Sequence, residues 1–310
     1  MAMTGSLNTT FEVWSHDRFR IPLPDGHKFP ISKYQLLRER VEGRVTVRES
    51  EAVSWEWLAV VHDADLLDRI RTGQMSTREQ RGLGLPWSDV LVERGRRSVG
   101  GTLAAGRRAL EHGIGMNLGG GTHHAGFDFA RGYCLFNDVA VALTRVRADG
   151  DARRALVVDC DVHQGDGTAQ ALAGDPDAFT LSLHGARNYP FQRIPSDLDV
   201  DLPSGTGDRD YLRALEDALD TALPHARPDV AFYLAGADPF EGDRLGRLAL
   251  TKAGLRARDE LAVERLRAAG AAVVVVLAGG YAHDVDDTVD INAATAAVVA
   301  AADARSAAAV

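Results

Sequence analysis

The sequence predicts one doubly wound α/β domain spanning 1–310, with a mostly parallel central sheet flanked by helices. Three features carry this expectation. Five short runs rich in Val, Leu and Ile read as strands buried on both faces. The stretches between them place apolar residues three and four apart, the spacing of amphipathic helices. Strand and helix patterns alternate in the way a parallel sheet with crossover helices requires.

In chain order, the helical pattern VGGTLAAGRRALEHG at 99–113 leads into the strand run GIGMNLGG, and FNDVAVALTRVRADG at 136–150 leads into RRALVVDCDVH at 153–163. DAFTLSLH at 177–184 is the third strand run. DRDYLRALEDALDTAL at 208–223 precedes DVAFYLAGAD at 229–238, and TKAGLRARDELAVERLRAAG at 251–270 precedes AAVVVVLAGGY at 271–281. Several of these helical patterns end in Gly, the common helix terminator. The alanine-rich run at 293–310 reads as a final helix that frays over 300–310, and residues 1–10 read as flexible.

Composition excludes several classes. Lys plus Arg number 35 against 44 for Asp plus Glu, a net charge of -9, and no long basic run is present. That balance disfavours nucleic acid, whose phosphates need clustered cations, and by itself favours cationic amines over polyanions. No stretch approaches the apolar length of a membrane span, and the first ten residues lack the features of a signal peptide, so a cytoplasmic protein is expected. Cys134 and Cys160 are the only cysteines; they fit a reducing compartment and small buried positions.

Polar residues gather where the apolar runs finish: His123 and His124, then Asp159, Asp161 and His163, then His184, Asp238 and Tyr281. Open parallel sheets bind ligands at the carboxyl ends of their strands. In extended backbone Asp159, Asp161 and His163 alternate onto one face, and buried charges there call for a compensating cation. A catalytic metal takes three protein ligands, and Asp238 is the best placed to complete them, although such an aspartate taken alone reads as a helix cap. Two adjacent histidines suit general acid and base work, and the glycines at 119–121 allow positive φ or close backbone approach. Tyr281, behind two glycines, could donate to a developing oxyanion; taken alone it reads as a packing residue.

Taken together, GGGTHHA, GYCLFNDVAVA, DCDVHQGDGT, LSLH, PSDLDVDLPSGTGD, AGADPFEGDRLGRLALTKAGLRARD and LAGGYAHDVDDTVDIN resemble the histone deacetylase family, of the arginase/deacetylase fold, and most closely its compact class IV branch. The resemblance implies a zinc-dependent deacylase, with Fe2+ as an alternative metal, bound by Asp161, His163 and Asp238. It implies that His123 and His124 orient and deprotonate water, paired with Asp159 and Asp166, and that Tyr281 polarises the acyl carbonyl. It further implies a structural K+ near Asp159, Asp161, His163, Ser182 and Leu183. Gly132 would accept a hydrogen bond from the substrate amide, and Tyr133, where the family commonly has Phe, would line a lysine tunnel.

The expected substrate is acyl-lysine in a protein, with small acylated amines such as acetylpolyamines as the alternative; nucleic acid and membrane are not expected partners, and a homo-oligomer is compatible. A binuclear arginase-like enzyme is disfavoured, because Gly165 stands where a bridging carboxylate is needed. A catalytically silent binding protein is disfavoured by the complete set of reactive residues.

Overall fold

The computed structural model describes residues 11–150 and 152–307; the N-terminal segment 1–10 and residues 308–310 lie outside them. Eight strands among the described residues form one sheet in which every pairing is parallel. They are β1 (Glu12–Ser15), β2 (Thr46–Glu49), β3 (Ile114–Asn117), β4 (Ala155–Asp159), β5 (Ala178–Gly185), β6 (Leu198–Leu202), β7 (Val230–Leu234) and β8 (Ala272–Val276), in the spatial order β2-β1-β3-β8-β7-β4-β5-β6. The five strands expected from sequence are all present. β1, β2 and β6 are additional: two are four residues long, and in β6 half-buried Leu198 and Val200 alternate with exposed Asp199 and Asp201, so none presents an apolar run. β2 and β6 are the sheet edges, where one side of a strand needs no burial.

Among the described residues, ten helices cover the two faces. Four short ones in the N-terminal third have no counterpart in the sequence expectation: α1 (Lys33–Val41), α2 (Trp55–Leu58), α3 (Ala64–Thr72) and α4 (Thr77–Leu83). The other six are α5 (Asp89–His112), α6 (Asp138–Ala148), α7 (Asp166–Ala171), α8 (Asp208–Ala226), α9 (Lys252–Ala268) and α10 (Val285–Ala307), of which the six-residue α7 likewise has no counterpart in the sequence expectation. α5 starts ten residues before the expected pattern, at a Ser88 cap that accepts from the Leu91 amide, and ends at Gly113 with φ 87°. The C-terminal run expected to fray from 300 is helical to Ala307. Arg267 donates to the Ala302 carbonyl, and Arg108 pairs with Asp303 at 3.0 Å, which ties that end to the body.

Apolar residues on the two sheet faces pack into two cores, and Cys134 and Cys160 are buried free thiols. No helix among the described residues is long and apolar enough to cross a membrane. Because all strands run the same way, the loops after β1, β3, β4, β5, β7 and β8 emerge on one edge of the sheet.

His62 staples two of the segments that build that edge. Its Nδ1 donates to the Gly126 carbonyl at 2.8 Å and its Nε2 accepts from the Asn137 amide at 2.9 Å, which requires a neutral ring. Burial pulls its pKa down to about 4, against a hydrogen bond to Gly126 that works the other way. An unfolded histidine titrates near 6.5. The folded pKa is thus depressed, so this contribution is intact above pH 6.5 and is lost as pH falls towards 4, by at most ~3 kcal/mol. Urea unfolding across that window is expected to show the decline, and His62→Gln to be less stable at pH 7 with a shallower acid slope. Parallel slopes would refute the assignment.

Candidate active site

Three short loops set the site, and each is held by its own carboxylate. After β3, Gly120 and Gly121 adopt φ 81° and 64°, which bends the chain so that the next residues turn inward. Asp138, wholly buried at the start of α6, accepts from the Gly121 and Thr122 amides at 3.1 and 2.7 Å and from the Thr102 hydroxyl at 2.5 Å. This fixes the segment that presents His123 and His124, whose rings lie 4.1 Å apart between centroids.

The second loop departs from the sequence expectation. β4 ends at Asp159, so Asp161 and His163 do not alternate along a strand; they follow it in irregular backbone. Their convergence comes from a relay of short side-chain turns: Asp159 Oδ1 accepts from the Asp161 amide at 3.0 Å, and Asp161 Oδ1 from the His163 amide at 2.9 Å. Asp238, four residues beyond β7, caps no helix. Its Oδ1 accepts from the Val162 amide at 2.9 Å, locking the β7 loop to the β4 loop. Beneath both, the buried Arg258 guanidinium donates to the carbonyls of Gly236 at 2.6 Å and Cys160 at 3.3 Å and pairs with Asp259 at 2.8 Å.

The third loop carries Tyr281. Its amide donates to Asp243 Oδ2 at 2.6 Å, while Arg244 Nε and Lys33 Nζ donate to the Tyr281 and Gly280 carbonyls at 2.9 and 3.3 Å. Gly279 approaches so closely that a Cβ there would stand 1.9 Å from Asp238 Oδ2, and its amide donates to Asp161 Oδ2 at 2.6 Å. Burial, then the charges of Asp161 and Asp238, push the Tyr281 phenol well above its usual pKa, so it is a proton donor at working pH.

Ligand-type atoms of Asp161, His163 and Asp238 all lie within 4.8 Å of one another. His163 Nδ1 faces Asp161 Oδ1 at 3.0 Å and Asp238 Oδ2 at 3.3 Å, and Asp238 Oδ2 is buried without a well-aligned donor. Burial and the Asp161 charge raise Asp238 to about 7, so two adjacent carboxylates compete for one positive charge. Two carboxylates and an imidazole aimed at one point are the donor set of a divalent metal, and the residues fit one.

His123 Nδ1 lies 2.6 Å from Asp159 Oδ2, and His124 Nδ1 lies 2.5 Å from Asp166 Oδ1. The two histidines are polarised oppositely. Burial opposes charge on His123, but Asp159 and Asp161 outweigh it and raise the pKa to about 9. Burial, together with the neighbouring His123 and His163, holds His124 well below 6.5. Arg131, in the GFDFAR segment, pairs with the second oxygen of Asp166.

His123, His124, Asp161, His163, Asp238 and Tyr281 line a cavity of about 430 Å3, and Asp159 and Asp166 contact the two histidines from outside that lining. Gly132 and Tyr133 lie on its wall in the left-handed region, φ 57° and 67°, held by amide bonds to the Gly82 and Leu83 carbonyls at 3.0 and 2.8 Å; a Cβ at Gly132 would meet His124 Cδ2 at 2.6 Å. Tyr189, which sequence reasoning passed over in GARNYPF, stands edge-on to His124 at 4.9 Å and forms a further wall. Asp138, Lys33, Asp243 and Arg258 were also passed over; their only signal was charge within apolar patterns or turns. His184 is not brought to the cavity: it is fully buried and its Nδ1 lies 2.9 Å from Ser182 Oγ, within β5. Ser182 pairs in register with Asp159 across β4 and β5, with Leu183 buried beside it.

The histone deacetylase domain family matches residues 27–298. The chain belongs to the histone deacetylase family. An uncharacterized protein of Picosynechococcus sp. is 41% identical over 284 residues, which cover 90% of this chain and 95% of that one. Histone deacetylase 2 of Arabidopsis thaliana is 35% identical over 60% of this chain and 49% of its own length. In three dimensions the crystal structure of the HDA15 HD domain is similar, with a TM-score of 0.77 at 22% identity, covering 93% of this chain and 90% of that chain. The all-parallel sheet flanked by helices is thus the arginase/deacetylase fold of this hydrolase family.

Proposed function

We propose that the protein is a metal-dependent deacylase that hydrolyses the amide joining an acetyl or longer acyl group to the ε-amine of lysine in proteins. The observation that carries this reading is the meeting, in one cavity, of two oppositely polarised histidines, each backed by its own aspartate, with the Asp161, His163 and Asp238 cluster. A divalent ion held by those three residues, Zn2+ with Fe2+ as the alternative, would supply Lewis acidity towards the acyl carbonyl and a lowered water pKa. K+ beside Asp159, Asp161, His163, Ser182 and Leu183 is the proposed structural ion.

The chain's own groups do the rest. His124, neutral at working pH, takes the proton of the attacking water, with Asp166 fixing its ring. His123, held as the cation by Asp159, balances the negative charge that develops and leaves His124 to return its proton to the departing amine. The Tyr281 hydroxyl donates to the carbonyl oxygen as it becomes an oxyanion. The Gly132 carbonyl accepts from the substrate amide, and Tyr133 with Tyr189 confines the lysine stem while excluding water.

His124→Ala is expected to retain full metal and to lose the acid limb of kcat/KM, where parent activity falls as the imidazole takes up a proton well below 6.5. Loss of metal would make that histidine a ligand instead. The substrate is tested by comparing kcat/KM on acetyl-lysine peptide, myristoyl-lysine peptide and an acetylated polyamine at equal metal loading. A polyamine more than about tenfold better than both peptides, ~1.4 kcal/mol in transition-state binding, would replace the lysine reading with a small-amine one.

A further inference from the structure

The net charge of -9 is not what a substrate meets at the cavity. Five lining residues are exposed: Arg81, Gly82, Arg187, Phe191 and Arg247. Three are arginines, and they come from separate places, the last turns of α4, the loop after β5 and the loop after Asp243. Nearby arginines are neutralised, Arg69 by Glu79 and Arg193 by Asp201. The three at the mouth form no ion pair among the described residues. Among the described residues the only acids lining the cavity are Asp161 and Asp238, both buried.

Unpaired guanidinium groups on an acidic protein, set around one opening, make a local positive field that net charge conceals. Such a field raises encounter with anions and repels cations. A small acylated amine would sit inside the cavity, below these side chains. A polypeptide threading one acyl-lysine inward leaves its flanking residues at the rim on several sides, where Arg81, Arg187 and Arg247 can each meet a carboxylate. The exposed Phe191 ring, 88% accessible, adds an apolar shelf at the same level.

Resting on the lysine-deacylase reading, we propose that the mouth selects acyl-lysine in an acidic context, a polypeptide segment with Asp or Glu on either side of the modified lysine. Polyamines, which are cationic along their length, are then poor substrates.

The test uses the full chain loaded with metal and three acetyl-lysine peptides of equal length, flanked by Asp, by Ser or by Lys. The Asp-flanked peptide is expected to exceed the Lys-flanked one by roughly 5- to 30-fold in kcat/KM at low salt, the sum of a few exposed charge pairs, and the ratio should shrink as salt is raised. In Arg187→Glu/Arg247→Glu the ratio should invert. Because the readout is a ratio, a general loss of activity does not imitate it. A Lys-flanked peptide turned over as well as the Asp-flanked one, or a ratio untouched by the double substitution, would overturn the proposal. So would a small acylated amine bearing a carboxylate that outpaced the acidic peptide. If none of the three peptides is hydrolysed, the lysine-deacylase reading itself falls, and the rim preference with it.

Discussion

Asp238→Ala is expected to abolish hydrolysis and stoichiometric metal together while leaving the fold in place. The carboxylate makes two separable contributions. Oδ1 accepts from the Val162 amide and so joins the β7 and β4 loops; Oδ2 is aimed at the point shared with Asp161 and His163 and has no well-aligned donor of its own. Alanine removes one of three proposed ligands, and a site left with one carboxylate and one imidazole binds divalent ions weakly. Metal content of the purified variant, measured beside its circular dichroism, decides the matter. Full metal occupancy in a folded Asp238→Ala protein would remove Asp238 from the ligand set.

Tyr281→Phe is expected to lower turnover roughly 10²- to 10³-fold, the size of one deleted oxyanion donor, with metal content and fold unchanged. The separation is clean because the backbone of Tyr281 is held independently of its hydroxyl, by Asp243 at the amide and Arg244 at the carbonyl. The ring keeps its contacts, including Tyr133 at 5.8 Å and the Lys33 ammonium at 5.3 Å. Burial raises the pKa of the phenol, so the unsubstituted protein keeps the hydroxyl proton that the proposed role requires. Near-normal turnover in the phenylalanine variant would make Tyr281 a packing residue.

How far the site is legible before folding depends on the kind of signal. The core strands are legible because burial on both faces demands uninterrupted apolar runs, as in AVVVV of β8. β1, β2, β6 and the four N-terminal helices are not, since four to nine residues seldom show a full period and their apolar positions are shared with turns. The reactive residues stand out as titratable groups at the ends of apolar runs. The alternation of Asp159, Asp161 and His163 nevertheless suggests the wrong local geometry: two-residue side-chain turns bring every second residue to one place as a strand would.

By itself, the sequence determined the α/β class, the order of the five core strands along the chain and the titratable residues proposed here to carry protons and to hold a metal. Each of these is encoded locally, in hydrophobic period and in residue chemistry. Tertiary structure alone decided which groups face one another. It put His184 away from the cavity, set Arg258 beneath two loops and tied Tyr281 to Asp243, thirty-eight positions distant. It also brought Arg81, Arg187 and Arg247 to one rim, although no basic run joins them and the chain as a whole is acidic. Local field depends on distance in space, which falls off within about a Debye length of ~10 Å, and neither composition nor sequence spacing records that distance.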